Sequence, residues 1–147
     1  MKEAIILVGP SGAGKSTFAK ERQMCNPDFL IISRDAFREA LIPNHKDTWY
    51  IRKDSYKLEK LVTEMVLTAI RNSPKNIIID ETNLNKDRLK LLEEYLIENG
   101  YTVVYNTIGK GLSKDELKRR VIKRDGNIDV SYIDKQISIF EEISENK

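Results

Sequence analysis

Cysteine is almost missing from this sequence of 147 residues, because Cys25 is the only one. A single cysteine cannot form a disulfide within the chain, so the fold must be held by its core. This cysteine usage fits a reducing cytosol, and we therefore expect a cytoplasmic protein.

Long apolar runs are missing as well. No run in the sequence approaches the ~20 residues that a membrane-spanning helix needs, so we expect no membrane partner. The apolar run inside MKEAIILVGP is too short for a signal peptide and continues directly into a glycine loop. A buried strand is the better interpretation of this N-terminal run.

Neither sign of charge dominates. The 25 lysines and arginines nearly balance the 23 aspartates and glutamates, and the formal net charge of +2 does not by itself indicate nucleic-acid or membrane binding. The chain is 40% apolar and 33% charged, as is usual for a globular protein. Its length suits one core, so we expect one domain over residues 1–147.

Short apolar runs alternate with helical patterns along the chain. Strands are predicted at residues 4–8, 29–33, 76–80 and 101–108, and helices at 15–24, 35–41, 58–72, 89–96, from 114 onwards and around 133–140. This alternation predicts a three-layer α/β/α fold with a mostly parallel sheet of about four strands. Polar segments follow three of the strands, and ligands bind at the carboxyl ends of such strands, so we expect one cleft there.

The first of these segments follows the first strand. Gly9, Gly14, Lys15 and Ser16 match the phosphate-binding pattern G-x-x-x-x-G-K-[ST]. Lys15 is predicted to reach the β- and γ-phosphates, Ser16 to ligate Mg²⁺ and Thr17 to contact the α-phosphate. The predicted ATP-binding residues of this loop are Gly9, Pro10, Ser11, Gly12, Ala13, Gly14, Lys15, Ser16 and Thr17.

A phosphate-binding loop also serves GTPase switches and motor proteins. A switch needs the guanine-binding pattern N-K-x-D, but the aspartate of NKDR comes one place too early, at the start of a helix. No D-x-x-G follows a strand, and the chain lacks room for the extra modules of most motors. A small phosphotransferase remains, with a P-loop kinase-like fold.

SRDAFR follows the second predicted strand. Asp35 and Arg38 are three residues apart, so on a helix they share a face. A phosphotransferase needs a carboxylate to accept the proton of the attacking hydroxyl and a cation to hold the acceptor. Alternatively, Asp35 caps the helix and Arg38 pairs with it on a solvated face.

IIIDETNLNKDR places Asp80 at the end of the third predicted strand, where a carboxylate orients magnesium, directly or through water. Glu81, Thr82 and Asn83 add polar groups at the rim of the cleft. Asn83 or Asn85 alternatively caps the next helix.

KRRVIKR carries five basic residues in seven. A helix there places Arg120 and Arg124 one turn apart, as a basic lid whose arginine supports the transferring phosphoryl group. Alternatively, it is a solvated amphipathic face. His45 has no partner motif and is expected to be structural or exposed, while Trp49 and Tyr50 either stack on a base or anchor a loop.

GPSGAGKSTFA, SRDAFR, DETNLNKDR and KRRVIKR together resemble the 5′-hydroxyl polynucleotide kinases, especially the kinase domain of the phage end-healing enzymes. The resemblance covers nearly the whole chain in order and spacing. The first motif is generic, whereas R-D-x-x-R followed by T-N-L-N is more specific. The resemblance implies transfer of the γ-phosphate of ATP, with Mg²⁺, to the 5′-OH ends of DNA or RNA.

The roles implied by the resemblance follow position by position. Asp35 matches the general base that activates the 5′-hydroxyl, and Arg38 matches the arginine that holds the acceptor strand's phosphate. Thr82 and Asn83 are expected on the acceptor side of the cleft. Arg124 matches the lid arginine on the donor phosphates, and Arg120 matches one nearer the nucleotide base.

The sequence departs from the phage pattern at two places. The phage enzymes have an aspartate directly before T-N, but Glu81 stands there and Asp80 lies one earlier, so either could take the magnesium role; we favour Asp80. The D-x-D-G-T motif of the 3′-phosphatase is absent, so we expect no phosphatase or ligase domain. A separate 3′-phosphatase or ligase partner stays open, as does the oligomeric state.

Two other functions stay open on the sequence alone. A kinase of a small-molecule hydroxyl, on a nucleoside, sugar or antibiotic, would use the same cleft and keep the role of Asp35. A non-catalytic, nucleotide-binding regulatory module would bind ATP without transferring phosphate.

Overall fold

The computed structural model describes residues 1–81, 85–109, 111–125 and 132–145. Thr82 and Asn83, predicted on the acceptor side, lie outside these residues. Within the described part of the chain, no helix is both long and apolar enough to cross a membrane.

The strands are β1 (Lys2–Val8), β2 (Phe29–Ile32), β3 (Asn76–Ile79) and β4 (Tyr101–Thr107). The helices are α1 (Lys15–Cys25), α2 (Arg34–Leu41), α3 (Ser55–Asn72), α4 (Lys86–Glu98), α5 (Lys114–Asp125) and α6 (Tyr132–Glu145), with two short 3₁₀ turns between α2 and α3. The sheet order is β2-β3-β1-β4, and every pairing is parallel. The predicted α/β fold with a parallel four-stranded sheet is confirmed.

The central strand β1 is buried on both faces. Ala4, Ile6 and Val8 belong to the core cluster that includes residues of α3 and α4. Ile5 and Leu7 point to the opposite face, where they pack with Ala19 of α1 and its neighbours. Helices therefore cover both sides of the sheet, which explains why β1 is a continuous apolar run.

Helix α3 buries a narrower stripe than its sequence predicts. Val62, Val66 and Ile70, four residues apart, are buried, and Val66 and Ile70 pack in the core cluster of the sheet. Leu61, part of the predicted stripe, keeps 46% of its surface exposed. It precedes Val62 by about 100° of helical rotation, so it points away from the sheet.

A separate apolar cluster attaches the basic helix α5 to the loop between β1 and α1. Leu117 and Val121 of α5 pack with Ile133 and Ile137 of α6 and with Ala13 of the loop. This packing holds α5 over the amino end of α1.

Candidate active site

The strand order brings the three polar segments together. β1 and β2 both lie beside β3, so residues 9–16, 33–38 and 80–81 leave the sheet at adjacent carboxyl ends. Neighbouring strands are about 4.8 Å apart. The N–H of Asp80 also donates to the carbonyl of Ile32 at 2.9 Å, which ties the ends of β3 and β2 together.

The loop between β1 and α1 wraps around the Lys15 ammonium. Nζ of Lys15 donates to the carbonyl oxygens of Gly9 and Pro10, each at 2.8 Å, and the side chain is buried. Gly12 and Gly14 have φ angles of 84° and 101°, in the left-handed region that glycine adopts without strain. The loop thus has the backbone curvature that phosphate binding requires.

Burial is the main reason that the pKa of Lys15 is lowered to about 8; the negative charge of Asp80 opposes this effect, and the positive charge of Arg124 adds to it. An anionic ligand would stabilise the ammonium in this position, because it adds a compensating negative charge. The charge on Lys15 is therefore poorly compensated and suited to binding phosphate.

The carboxylate after β3 contacts the loop directly. The hydroxyl of Ser16 donates to Oδ2 of Asp80 at 2.9 Å, and Asp80 is buried. Glu81 instead accepts from Nε of Arg34 at 3.2 Å, on the other side of the cleft. Of the two candidate carboxylates, the structure therefore places Asp80 at the phosphate loop and Glu81 towards α2.

The hydroxyl of Ser16 and the carboxylate of Asp80 are oxygen ligands of the kind Mg²⁺ prefers, and Mg²⁺ usually takes one or two carboxylates with waters and substrate phosphates. Among the described residues, no group of three or more histidines, cysteines or acidic residues could hold a metal by itself. The two oxygens thus fit a magnesium ion that the nucleotide helps to bind.

A cavity of about 260 Å³ opens above the loop. It is lined by Gly12, Gly14, Lys15, Ser16, Thr17, Arg120 and Arg124. Both lid arginines predicted from the sequence therefore face the same cavity as the phosphate loop.

Four further loop residues do not line this cavity, namely Gly9, Pro10, Ser11 and Ala13. Ala13 packs against α5 and α6, and Pro10 accepts the hydrogen bond from Lys15. The N–H of Ser11 donates to Oε1 of Gln136 in α6 at 2.8 Å. An N–H that was predicted to face phosphate thus has a side-chain partner in this structure.

Glu116 holds the first lid arginine in place. Its Oε1 accepts from Nε of Arg120 at 2.9 Å, and Nη1 of Arg120 donates to the carbonyl of Gly12 at 3.3 Å. Hydrogen bonds from Arg119 and Arg120 lower the pKa of Glu116 to about 2. Glu116 therefore stays ionised at any physiological pH and holds Arg120, and Arg120 links α5 to the loop.

Helix α2 presents Asp35 and Arg38, and Ser33 rather than Asp35 caps it. The hydroxyl of Ser33 accepts from the N–H of Ala36 at 3.1 Å. Arg38 leaves only 15% of its side chain exposed, and its Nη1 lies 3.5 Å from Oδ1 of Asp35. The capping aspartate and the solvated arginine of the alternative are therefore wrong, although Arg38 does pair with Asp35.

Glu59 of α3 fixes Arg38, and sequence analysis missed it. Glu59 accepts from Nε and Nη2 of Arg38 at 2.7 and 3.1 Å, from Nε1 of Trp49 at 2.6 Å and from Nη1 of Arg34 at 3.3 Å. The hydrogen bond and charge of Glu59 outweigh the effect of burial and raise the pKa of Arg38. Trp49 is fully buried, so it anchors its loop, whereas Tyr50 is exposed.

His45 contacts the proposed base and was expected to be structural or exposed. Its ring is buried; Nε2 lies 2.8 Å from Oδ1 of Asp35 and Nδ1 lies 2.8 Å from Oε2 of Glu39. The sequence contained one signal for this contact. Asp35 and Glu39 are one helical turn apart, and two negative charges at this spacing favour a cation between the two side chains.

Asp35 is ionised at neutral pH. Burial alone would raise its pKa, but the hydrogen bond from His45 and the charges of Lys46 and Arg38 outweigh burial and hold the pKa below its ordinary value. Half of the side chain is exposed, so a substrate can reach it. An ionised, accessible carboxylate is what a general base requires.

Comparison with known proteins adds to this geometry. A family model described as an AAA domain matches residues 5–143. The chain is 28% identical, over 109 residues, to a protein of Autographa californica nuclear polyhedrosis virus named as a bifunctional polynucleotide kinase/RNA ligase, covering 68% of this chain and 15% of the viral protein. It is 26% identical to adenylate kinase of Wolinella succinogenes, covering 84% of this chain and 69% of that enzyme.

A solved structure of a Pnkp1/Rnl/Hen1 RNA repair complex contains a chain of the same fold. Its TM-score is 0.83 and its identity 25%, and the match covers 99% of this chain and 46% of that one. The chain thus spans less than half the length of both the viral protein and the repair-complex chain. The proteins matched include a polynucleotide kinase and an adenylate kinase, which phosphorylate different acceptors. The comparisons therefore show a P-loop kinase fold but do not identify the acceptor of this chain.

Proposed function

Because the chain belongs to the AAA-domain family and has the fold of P-loop kinases, we propose that it transfers the γ-phosphate of ATP to the 5′-hydroxyl end of DNA or RNA. One observation carries the proposal. Ser16 of the phosphate loop contacts Asp80, the next residue Glu81 contacts Arg34, and Arg34 and Arg38 share the carboxylate of Glu59. The cleft thus has a donor half and an acceptor half.

In the donor half, Lys15, the loop N–H groups and Arg124 bind the phosphates of ATP. The cavity above the loop, which Arg120 and Arg124 also line, would hold these phosphates, and Arg120 would lie nearer the base. Ser16 and Asp80 would hold Mg²⁺, Asp80 directly or through water, and when bound this ion neutralises charge on the β- and γ-phosphates. The positive side chains stabilise the charge of the transferring group, and this electrostatic effect supplies most of the acceleration.

In the acceptor half, Asp35 accepts the proton of the attacking hydroxyl. Arg38 binds the phosphate beside the reacting end, with the guanidinium held by the carboxylate of Glu59. Two hydrogen bonds to one carboxylate fix the plane of the guanidinium, so its remaining N–H groups point in a defined direction. Such fixed geometry favours in-line attack. Thr82 and Asn83 would add polar groups that bind the acceptor.

Three features favour a polynucleotide acceptor over a metabolite. The chain resembles proteins named for polynucleotide kinase and RNA repair. Arg38 suits a phosphate that a nucleoside or sugar would not carry. Tyr50 is exposed, and the Arg38 guanidinium lies 6.0 Å from its ring centroid, where a base could stack. The solved structure with the same fold is named as an RNA repair complex, and this favours a separate 3′-phosphatase or ligase partner for the present chain.

A kinase of a small-molecule hydroxyl is the second candidate. The similarity to an adenylate kinase covers 84% of the chain, more than the similarity to the viral protein does, and it favours a small-molecule acceptor, although an adenylate kinase phosphorylates a phosphate group and not a hydroxyl. Asp35 would keep its role, but a small acceptor without a phosphate would make Arg38 dispensable.

The direct test uses γ-labelled ATP, Mg²⁺ and one oligonucleotide prepared with either a 5′-hydroxyl or a 5′-phosphate. Label should enter the 5′-hydroxyl form alone. Asp35→Asn should reduce kcat by about 10²- to 10⁴-fold, as expected for loss of a general base, while ATP binding stays close to wild type. Near-normal transfer by this variant would remove Asp35 as the base.

Arg38→Ala separates the two acceptor classes. It should raise KM for the oligonucleotide and leave KM for ATP close to the wild-type value. An unchanged dependence on oligonucleotide concentration would exclude a phosphate-binding role for Arg38.

A further inference from the structure

His45 lies between two acidic side chains of α2. Its Nε2 is 2.8 Å from Oδ1 of Asp35, and its Nδ1 is 2.8 Å from Oε2 of Glu39. Only 3% of the imidazole is exposed, whereas each carboxylate side chain is about half exposed, at 50% and 52%. Water therefore reaches the two acids but hardly reaches the ring between them.

The two contacts determine how many hydrogens the ring carries. An ionised carboxylate only accepts hydrogen bonds, and a neutral imidazole donates from one nitrogen alone. A neutral ring would therefore place a nitrogen lone pair against one of the two carboxylates. Two donated hydrogen bonds require hydrogens on both nitrogens, and such a ring is positively charged.

The spacing of the acids supports a positive ring. Asp35 and Glu39 are one turn apart on α2, and like charges at that spacing destabilise a helix. A cation between them turns this repulsion into two attractions. The hydrogen bond from the N–H of Asn44 to Oε1 of Glu39, at 3.0 Å, fixes the far end of the bridge.

The other charged groups around the bridge are few in the described part of the chain. Arg38 lies 3.5 Å from Oδ1 of Asp35, and Lys46 lies 3.6 Å from Oδ2. The ring of Trp49 meets the imidazole edge-on at a centroid distance of 5.8 Å. The Asn44 N–H and His45 both lower the pKa of Glu39, so this acid also stays ionised.

The two oxygens of Asp35 are therefore not equivalent. Oδ1 accepts from His45 and faces Arg38, whereas Oδ2 faces Lys46 at 3.6 Å, beyond hydrogen-bond distance. Rotation of the carboxylate would break the contact with His45. The bridge thus leaves Oδ2 as the oxygen that an incoming hydroxyl can meet.

We propose that His45, protonated on both nitrogens, is a positioning residue that bridges Asp35 and Glu39, holds Oδ1 of Asp35 and presents Oδ2 to the acceptor hydroxyl. This inference rests on the proposed function of Asp35 as the base. In the transfer the acceptor O–H bond breaks and an Oδ2–H bond forms. The acceptor oxygen then bonds to the γ-phosphorus as the bond from that phosphorus to ADP breaks.

The protonation of His45 is measurable without activity, because it is the only histidine in the chain. Long-range ¹H–¹⁵N spectra of the ¹⁵N-labelled wild-type protein at pH 7 should show one imidazole with both nitrogens protonated. Glu39→Gln should weaken the signal of the doubly protonated ring, because one of its two acceptors loses its negative charge. A neutral ring in the wild type at pH 7 would overturn the bridge.

Kinetics then test the positioning role. His45→Gln cannot bridge both acids, and kcat should fall by about 10- to 100-fold with KM for ATP unchanged, as expected for loss of a hydrogen bond to a charged group. Added imidazole should restore transfer by His45→Ala but not by Asp35→Asn. A kcat for His45→Gln within twofold of wild type, or no rescue of a folded His45→Ala, would overturn the role.

Tyr101→Phe is the matched control. It removes a buried hydrogen bond of 2.6 Å, from the hydroxyl to the carbonyl of Ile70, at the other end of the sheet. This variant should lose stability but keep kcat. If the wild type transfers no phosphate to any 5′-hydroxyl end, the proposed function fails, and the NMR experiment still decides whether the bridge exists.

Discussion

At the scale of single residues, the charges of the cleft differ in how they are compensated. Burial, and to a smaller extent the charge of Arg124, lower the pKa of Lys15 to about 8 against the effect of Asp80, and the ammonium donates to two carbonyl oxygens. Arg38 is paired with a carboxylate instead, and its pKa is raised. The donor half is therefore incomplete without an anion, whereas the acceptor half is already organised.

Lys15→Met tests the cost of this buried charge. The folded pKa lies below the value of 10.5 for an exposed lysine, so the unfolded chain binds more protons between pH 8 and 10.5. The unfolding free energy of the wild type, relative to Lys15→Met, should therefore rise over this range by an amount on the order of 3 kcal/mol. Urea titrations of both proteins without nucleotide measure it, and a constant difference would contradict the assignment.

Glu59→Gln tests whether Glu59 orients Arg38. The amide has one acceptor oxygen, so the paired hydrogen bonds from Arg38 are lost, and KM for the oligonucleotide should rise about tenfold while KM for ATP stays unchanged. Thr63→Val is the control, because it removes the hydrogen bond from Arg34 to Thr63 Oγ1 at 3.0 Å and leaves the pair Arg38–Glu59 intact. Equal effects of the two variants would refute this role of Glu59.

The residues that sequence analysis found differ in kind from those it missed. Lys15 and Ser16 belong to a loop whose local pattern requires them, and Asp80 follows an apolar strand directly. His45 and Glu59 act through contacts between separate segments, and those contacts depend on how the loop after α2 folds against α3. No local spacing encodes that packing.

At the scale of elements, α5 is attached to the phosphate loop by close packing as well as by Arg120. A Cβ on Gly12 would lie 2.7 Å from the carbonyl oxygen of Leu117 in α5. Only glycine therefore allows the helix to approach the loop this closely. The same contact keeps Arg120 and Arg124 over the cavity.

Gly12→Ala and Gly111→Ala together isolate this packing. Both positions have positive φ, 84° and 91°, but nothing lies within 4 Å of a Cβ at Gly111. Gly111→Ala should cost only backbone strain, about 1 kcal/mol of unfolding free energy. Gly12→Ala should cost about 2–4 kcal/mol, because the displaced helix adds to the strain. Equal losses in thermal unfolding would show that α5 does not rest on the loop.

The elements themselves were predictable because strong local signals agree. Apolar runs mark the four strands. At the starts of α5 and α4, the side chains of Ser113 and Asn85 accept hydrogen bonds from the N–H groups of Glu116 and Arg88, respectively. Asn85 is one of the two alternative capping residues that the sequence predicted for α4. The buried face of α3 was less predictable. Several apolar residues compete for that face, and only packing selects Val62 over Leu61.

At the scale of the whole molecule, both halves of the cleft lie at the carboxyl ends of three adjacent parallel strands. The order β2-β3-β1 puts the acceptor segment and the phosphate loop on either side of Asp80 and Glu81. Each of these two acids contacts a different half, Ser16 on one side and Arg34 on the other. A kinase that joins two substrates needs this arrangement, but a regulatory module that only binds nucleotide does not.

The proposed function depends on the acceptor being a polynucleotide 5′-hydroxyl, and a comparison of acceptors measures this preference. The kcat/KM of transfer from γ-labelled ATP should be compared for a 5′-hydroxyl oligonucleotide, a nucleoside 3′-monophosphate, the nucleoside itself, AMP and a sugar. The value for the oligonucleotide should exceed those for AMP and the sugar by at least about 100-fold, and the 3′-phosphate should improve the nucleoside as an acceptor through Arg38. A higher value for AMP or the sugar than for the oligonucleotide would exclude a polynucleotide as the acceptor.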